Sequence, residues 1–410
     1  MTTELRELGP DGWDEWYETL VAAFNKIPEP PENRAFDRSV TETDRSFGMW
    51  DGKELVGTAG TYSFGLSVPG GAIVPAGGLT MVGVLPTHRR RGILRRMIRH
   101  HLEDVRQRGE PLSVLTASEP AIYGRFGYGA ATQLLSARID TGRVRLQVPE
   151  GAGGIRLRLA DPVEALPRCE EVYARRVTER PGMLERRPGW EQVEVLDPPG
   201  ERNDGSPLQC VLAERGGEVV GYARYAIRRE PNAPGVVARS VLLRGLEADD
   251  LDAYASLWRF LFDIDLTSSV TVPDRPVDDA WQHLVSDIRQ CRVQLRDSLY
   301  LRPVEVGAAL SARSYAAGVD VVLEVTDGFC PWNEGRWRLT GGTDGASCVR
   351  TDGPADLELS VRELGAAYLG GVSLVSLARA GRVRELRGGA LTEAATAFSS
   401  PVAPWLPHGF

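Results

Sequence analysis

The chain has 410 residues, room for two to four domains of ordinary size. A net charge of −8 disfavours nucleic acid as the main partner, since phosphate binding needs a basic surface; an acidic chain can attract cationic small molecules, although its charge can equally serve solubility alone. No run of about 18 apolar residues offers a membrane span, and the polar start Thr2-Thr-Glu-Leu-Arg-Glu-Leu8 lacks the apolar core of a signal peptide, so a cytoplasmic protein is expected.

Residues 4–25 read as a short strand and then a helix, with Trp13, Trp16, Tyr17, Leu20, Val21 and Phe24 at helical spacing. Pro28 to Pro31 end that helix, and the loop from Phe24 to Phe36 is a candidate substrate wall. Residues 47–50 and 55–64 read as strands across an Asp51-Gly52 turn. A further strand region, 72–85, is expected to break at Gly77-Gly78. Residues 91–108 form a strong helix with Ile93, Leu94, Met97, Ile98, His101, Leu102 and Val105 on one face, and 112–116 a short apolar strand.

The glycine-rich Val148-Pro-Glu-Gly-Ala-Gly-Gly154 reads as a linker. A second cycle follows: strand 155–159, helix 162–177, strands 208–214 and 219–228 across Gly216-Gly217, strand 236–243 and helix 248–262. Glu54-Leu-Val-Gly57 and Glu218-Val-Val-Gly221 each open a strand after a glycine-containing turn, 164 residues apart, which suggests internal duplication. The copies are uneven. Where the first has arginines before its helix, the second has Leu242-Leu-Arg-Gly-Leu-Glu-Ala-Asp-Asp250, whose carboxylates would repel a phosphate, so the second is a scaffold without cofactor. From Arg289 onward, strands 321–325 and 336–340 and helices 361–369 and 373–380 suggest an α+β domain with a mostly antiparallel sheet. Its proline-rich apolar tail, Pro401-Val-Ala-Pro-Trp-Leu-Pro-His-Gly-Phe410, is neither helix nor central strand.

Cys169, Cys210, Cys291, Cys330 and Cys348 have no metal spacing, and their odd number argues against a disulfide framework. His88, His100, His101, His283 and His408 form no HExxH-type arrangement, so no metal is expected.

The chemistry concentrates in Met81 to Arg96. An apolar strand ends at Pro86, and Arg89-Arg-Arg-Gly92 leads into the long helix. The free N–H groups of its first turn suit a pyrophosphate, Gly92 allows close approach, and Arg89, Arg90 and Arg91 add positive charge. A basic helix cap with solvated arginines is the competing reading.

Arg89-Arg-Arg-Gly92-Ile93-Leu94 resembles the R/Q-x-x-G-x-G/A signature of the GNAT superfamily of acetyltransferases. Leu94 departs from it, in the manner of the enhanced intracellular survival (Eis) aminoglycoside acetyltransferases. Ser118-Glu-Pro-Ala-Ile-Tyr-Gly-Arg-Phe-Gly-Tyr128 resembles a second block of that branch. The resemblance implies a mixed α/β (α+β) fold of three units. These are a GNAT domain at 1–148 that binds acetyl-CoA, a degenerate GNAT-like domain at 155–288, and a sterol-carrier-protein-like domain at 289–410. It also implies a homohexamer.

By the same resemblance, Val82, Gly83, Val84, Arg89, Arg90, Arg91, Gly92, Ile93, Leu94, Arg95, Ser118 and Glu119 touch the cofactor. Tyr123 is the general acid and the Phe410 carboxylate the base. An α-carboxyl is a poor base in water, and burial in the apolar tail would raise its pKa. His408 is a rival base. The acceptor the resemblance implies is a polycationic amine such as an aminoglycoside, acetylated at several positions. Protein lysines or other small amines, and a non-catalytic lipid or ligand carrier, are the alternatives.

Overall fold

The computed structural model describes residues 3–27, 29–148, 154–229 and 239–410. Most of the expected linker, and the first residues of the strand expected at 236–243, lie outside the described residues.

The first unit comprises β1 (Glu4–Glu7), α1 (Trp13–Ala23), α2 (Pro31–Val40), β2 (Phe47–Asp51), β3 (Glu54–Ser67), β4 (Ile73–Val84), α3 (Ile93–Gln107), β5 (Leu112–Thr116), α4 (Pro120–Tyr123) and β6 (Gly129–Ala130). Helix α2 corrects the expected loop. Pro31 is its first residue, where the missing N–H costs nothing. The chain turns between α1 and α2 through Asn25 and Lys26, both at positive φ. Strand β4 runs unbroken through Gly77 and Gly78, contrary to the expected break. The two glycines answer crowding: an added Cβ would overlap Val105 of α3 at Gly77 and the Phe64 ring at Gly78.

The second unit comprises β7 (Gln133–Asp140), β8 (Arg156–Ala160), α5 (Pro162–Val177), β9 (Gln209–Arg215), β10 (Glu218–Arg229), β11 (Arg239–Ala248), α6 (Leu251–Phe262), β12 (Ser269–Arg275) and β13 (Gln294–Asp297). Strand β14 (Leu299–Pro303) returns to the first sheet, whose order is β1-β2-β3-β4-β5-β14-β6; the second is β13-β7-β12-β11-β10-β9-β8. The sheets therefore exchange strands. Residues 133–140 serve the second sheet, and 294–303 are shared between the first two, although the sequence boundaries put them in the first and third units.

The third unit has a sheet of its own, β15 (Val319–Thr326), β16 (Gly335–Gly342), β17 (Gly345–Arg350), β18 (Leu357–Ser360) and β19 (Val383–Glu385), in the order β17-β16-β15-β18-β19. It shares one core with the first unit: Tyr62, Phe64, Leu66 and Ala76 on β3 and β4 pack with Leu323, Val361, Tyr368 and Leu406. The opposite face of the first sheet is covered by α3 through Ile93, Met97, Ile98, Leu102 and Val105, the apolar stripe read from the sequence.

The four-residue echo has a structural meaning. In both copies the strand bulges there, with Val56 and Val220 as the extra residues. Gly57 then pairs with Val84, and Gly221 with Ala248, the same 164-residue offset. The copies diverge just afterwards. Eight residues separate β4 from α3, whereas only Asp249 and Asp250 separate β11 from α6. The second strand thus runs past the expected end at Leu243, and Asp250 caps α6 by accepting from the Ala253 N–H at 3.0 Å.

Candidate active site

The site begins with a bulge in β4. Thr58 pairs with Gly83 and Gly60 with Thr80, so Met81 and Val82 oppose Ala59 alone. Met81 takes φ +51°, and Thr58 Oγ1 donates to its carbonyl at 2.9 Å. The parallel ladder between β4 and β5 stops at Gly78–Val114, while β5 stays paired with β14 as far as Thr116. It is β4 that departs, and among the described residues its edge toward β5 has no strand partner beyond Gly78.

A cavity of about 590 Å³ opens at this splay. Of the residues expected to touch a cofactor, Val82, Gly83, Val84, Arg89, Arg90, Gly92, Ile93, Leu94, Arg95, Ser118 and Glu119 line it. Arg91 is exposed and not among the lining residues. Arg90 (φ +63°) and Gly92 (φ +79°) are both left-handed, which turns consecutive side chains in different directions. Gly92 is the residue before α3, and no side chain caps that helix. Its first-turn N–H groups therefore face the cavity's mouth unsatisfied, with the positive end of the helix dipole behind them. Arg90 and Arg91 form no ion pair among the described residues. Together these features suit a ligand with an anionic end and an extended amide-bearing arm, the shape of a phosphorylated pantetheine. Leu94, the departure from the signature, is half-buried against the core beneath the turn.

Sequence reasoning missed other walls of the cavity. Phe24 and Asn25, expected to face substrate, line this cavity, as do His88, Ile122 and Arg125. Arg89 donates to the Ala23 carbonyl at 3.3 Å, which pins the end of α1 over the turn. The unusual Asn25-Lys26 pair at positive φ is the local signal, and it is weak.

Tyr123 also lines the cavity, at the end of α4. Its ring stands edge-on to Tyr128, and its hydroxyl has no partner among the described residues. Burial, with the Glu119 carboxylate nearby, pushes its pKa above the ordinary tyrosine value, so the phenol keeps its proton at neutral pH. Tyr128 and Phe126 are packing residues: Tyr128 bonds Ser113 at 2.7 Å, and Phe126 packs on Phe329.

The C-terminus comes to the same splay. Thr116 Oγ1, at the end of β5, donates to a terminal oxygen of Phe410 at 3.1 Å. The Phe410 ring packs on Phe64 at 4.7 Å between centroids. Two residues earlier His408 stacks on Trp190, and burial, with Arg186 close by, lowers its pKa to about 4.

Behind Phe410 the core is aromatic. Trp190 meets Phe36, Tyr62 and Phe64 edge-on. The Tyr17 hydroxyl lies within hydrogen-bond reach of the carboxylates of both Glu29 and Asp37. Burial raises Asp37 to about 6. Among the described residues no group of three or more His, Cys, Asp or Glu side chains could hold a metal, and no helix is long and apolar enough to cross a membrane.

Comparison with known proteins extends over the whole chain. GNAT acetyltransferase domain models match residues 4–131 and 182–303, and a sterol carrier protein domain model matches 306–407. An uncharacterized N-acetyltransferase of Streptomyces avermitilis is 62% identical over the full length of both chains. The N-acetyltransferase Eis of Mycobacterium tuberculosis is 34% identical over 98% of each. The crystal structure of Eis1 from Mycobacterium abscessus superimposes with a TM-score of 0.85 at 33% identity, covering both chains entirely.

Proposed function

The chain belongs to the Eis-type N-acetyltransferases of the GNAT superfamily, and on that premise we propose that it moves an acetyl group from acetyl-CoA to amines of a polycationic acceptor, aminoglycosides at several positions. The observation that carries this reading is the convergence at one strand end: Thr116 of β5 holds the Phe410 carboxylate, and the same chain continues directly into Tyr123.

Acetyl-CoA, when bound, supplies a thioester whose acyl carbon is open to attack by a neutral amine. Backbone N–H groups at the end of β4, within Val82, Gly83 and Val84, polarise the carbonyl. The Phe410 carboxylate, placed by Thr116 and by its ring on Phe64, takes the proton from the acceptor's ammonium. The Tyr123 hydroxyl gives a proton to the departing sulfur. The turn at Arg89, Arg90 and Gly92 holds the phosphates, with Arg91 at its rim. The chain's net charge of −8 attracts a cationic acceptor, and a polycation gains more from it than a single protein lysine does, which is the ground for preferring the polycation.

Deletion of Phe410 tests the reading, with thiol release measured against kanamycin-like acceptors. Transfer is expected to collapse while acetyl-CoA still binds; intact transfer overturns the C-terminal base. An acceptor series of aminoglycosides, simple diamines and lysine peptides decides the substrate class, since preference for lysine peptides overturns the polycation reading. The same reading assigns a cytoplasmic homohexamer, which light scattering and cell fractionation check.

A further inference from the structure

The duplicated cleft has not closed in the second unit. The ladder between β11 and β12 stops at Leu242–Thr271, as the ladder between β4 and β5 stops at Gly78–Val114. A cavity of about 280 Å³ lies beyond it, lined by Leu246 to Leu251, by Arg275, Pro276, Asp278, Asp279 and Ala280, and by Arg176 and Arg180 at and just past the end of α5. These are the topological counterparts of the walls of the first cavity. The phosphate turn is missing here, and one wall is Trp405 of the C-terminal tail.

The tail is fastened at this place by its backbone and by its indole. The Ala403 N–H donates to Asp278 at 2.8 Å, its carbonyl accepts from Arg180, and Arg180 and Asp278 pair at 2.7 Å, closing a ring of three contacts. The Trp405 N–H donates to the Pro181 carbonyl and its Nε1 to the Asp274 carbonyl, both at 2.8 Å. Its ring lies 5.0 Å from the Arg275 guanidinium, which Asp279 and the Leu246 carbonyl hold in place. Gly182, at φ +92°, passes so close that an added Cβ would stand 2.9 Å from the Trp405 backbone.

We propose that the second unit's vacated cleft is a socket for the C-terminal tail, in which Trp405, Arg180 and Asp278 are positioning residues that set where the Phe410 carboxylate stands. A free chain end frays. Fastening Trp405 leaves only five residues to direct, and Leu406 in the core and His408 on Trp190 direct them. The duplication thus contributes to the chemistry of the first site without binding a cofactor of its own. The proposal rests on the reading of Phe410 as the base.

The test compares Asp278→Ala, Trp405→Ala and Trp405→Phe in the full-length enzyme. Asp278 is 36% exposed at its side chain, so its replacement leaves the core intact even where Trp405→Ala fails to fold. Asp278→Ala is expected to lower kcat by about tenfold or more, because small misplacements of a reacting group are costly, with acetyl-CoA affinity and melting temperature unchanged. Trp405→Phe keeps more activity than Trp405→Ala. Carboxypeptidase is expected to release Phe410 faster from Asp278→Ala than from wild type. Wild-type kcat together with wild-type release in Asp278→Ala overturns the socket. If Phe410 deletion leaves transfer intact, the base assignment falls, while the release assay still reports whether the socket holds the tail.

Discussion

Thr116 and Phe410 are 294 residues apart in sequence, and the Thr116 hydroxyl donates to a terminal oxygen of Phe410 at 3.1 Å. The contact joins the last residue of a core strand to the last residue of the chain, at the point where β4 leaves β5. A hydrogen bond to a charged acceptor contributes roughly 1.5–3 kcal/mol. Thr116→Val is therefore expected to lower kcat by about tenfold or more. Steady-state kinetics together with an acetyl-CoA binding titration checks it, the affinity being unaltered.

Tyr123→Phe removes a hydroxyl that bonds no other described residue, so the melting temperature should not move. The loss of a general acid is expected to lower kcat by about 10²–10⁴. Because burial and Glu119 raise the pKa of Tyr123, the wild-type alkaline limb should fall above the ordinary tyrosine range. A limb well below pH 10 would assign it to another group.

Gly78→Ala puts a methyl into the Phe64 ring and 3.1 Å from the Phe410 ring. Overpacking of this kind costs about 1–3 kcal/mol. Both the urea midpoint and kcat are expected to fall, because relief of the clash moves the aromatic pair that seats the carboxylate.

His101 is fully buried between Thr61 Oγ1 and Ser113 Oγ, both at 2.7 Å. Burial above all, with Arg45 nearby, lowers its pKa to about 3. The folded imidazole is neutral, whereas the unfolded one protonates near its ordinary value of 6.5. Its contribution is thus complete above that value and is lost as pH falls toward 3. His101→Gln should flatten the decline in melting temperature between pH 7 and pH 5, leaving the smaller slope of His408. Asp37, raised to about 6, acts in the opposite direction, losing its contribution as pH rises through that value.

Arg302 is fully buried and donates to the Phe126 carbonyl and to Asp327, itself buried. Arg302→Met leaves that carboxylate without its counter-charge, a loss of about 3–5 kcal/mol. Equilibrium denaturation measures it. Asp327→Asn in the same background should restore part of it by removing the stranded charge.

Much of this was legible from local pattern. The stripe of α3 has a helical period, and the strand, arginine-glycine turn and helix around Gly92 follow from propensity and the freedom of glycine. The Glu-x-Val-Gly echo marked a real bulge in each copy. Other features misled. Gly77-Gly78 looked like a break because a glycine pair weakens a strand, yet Val105 and Phe64 leave room for nothing larger. Pro28 to Pro31 looked like a terminator, yet proline is equally at home as the first residue of a helix. Strand β11 ran five residues past its expected end, since Arg244 and Gly245 read as turn residues until their pairing with β10 is seen.

What the sequence determined by itself is therefore the long helix α3, most strands of the first two units and the arginine-glycine turn before α3, which rest on local pattern, together with the repeat of element order that marks the duplication. Only the tertiary structure decided that β13 and β14 cross between sheets, that Thr116 holds Phe410, and that Trp405 seats in the second unit's cleft. Those contacts join residues more than a hundred positions apart, frequently through backbone groups common to every residue. No local pattern of side chains specifies such a pairing; the folded arrangement of the three sheets does.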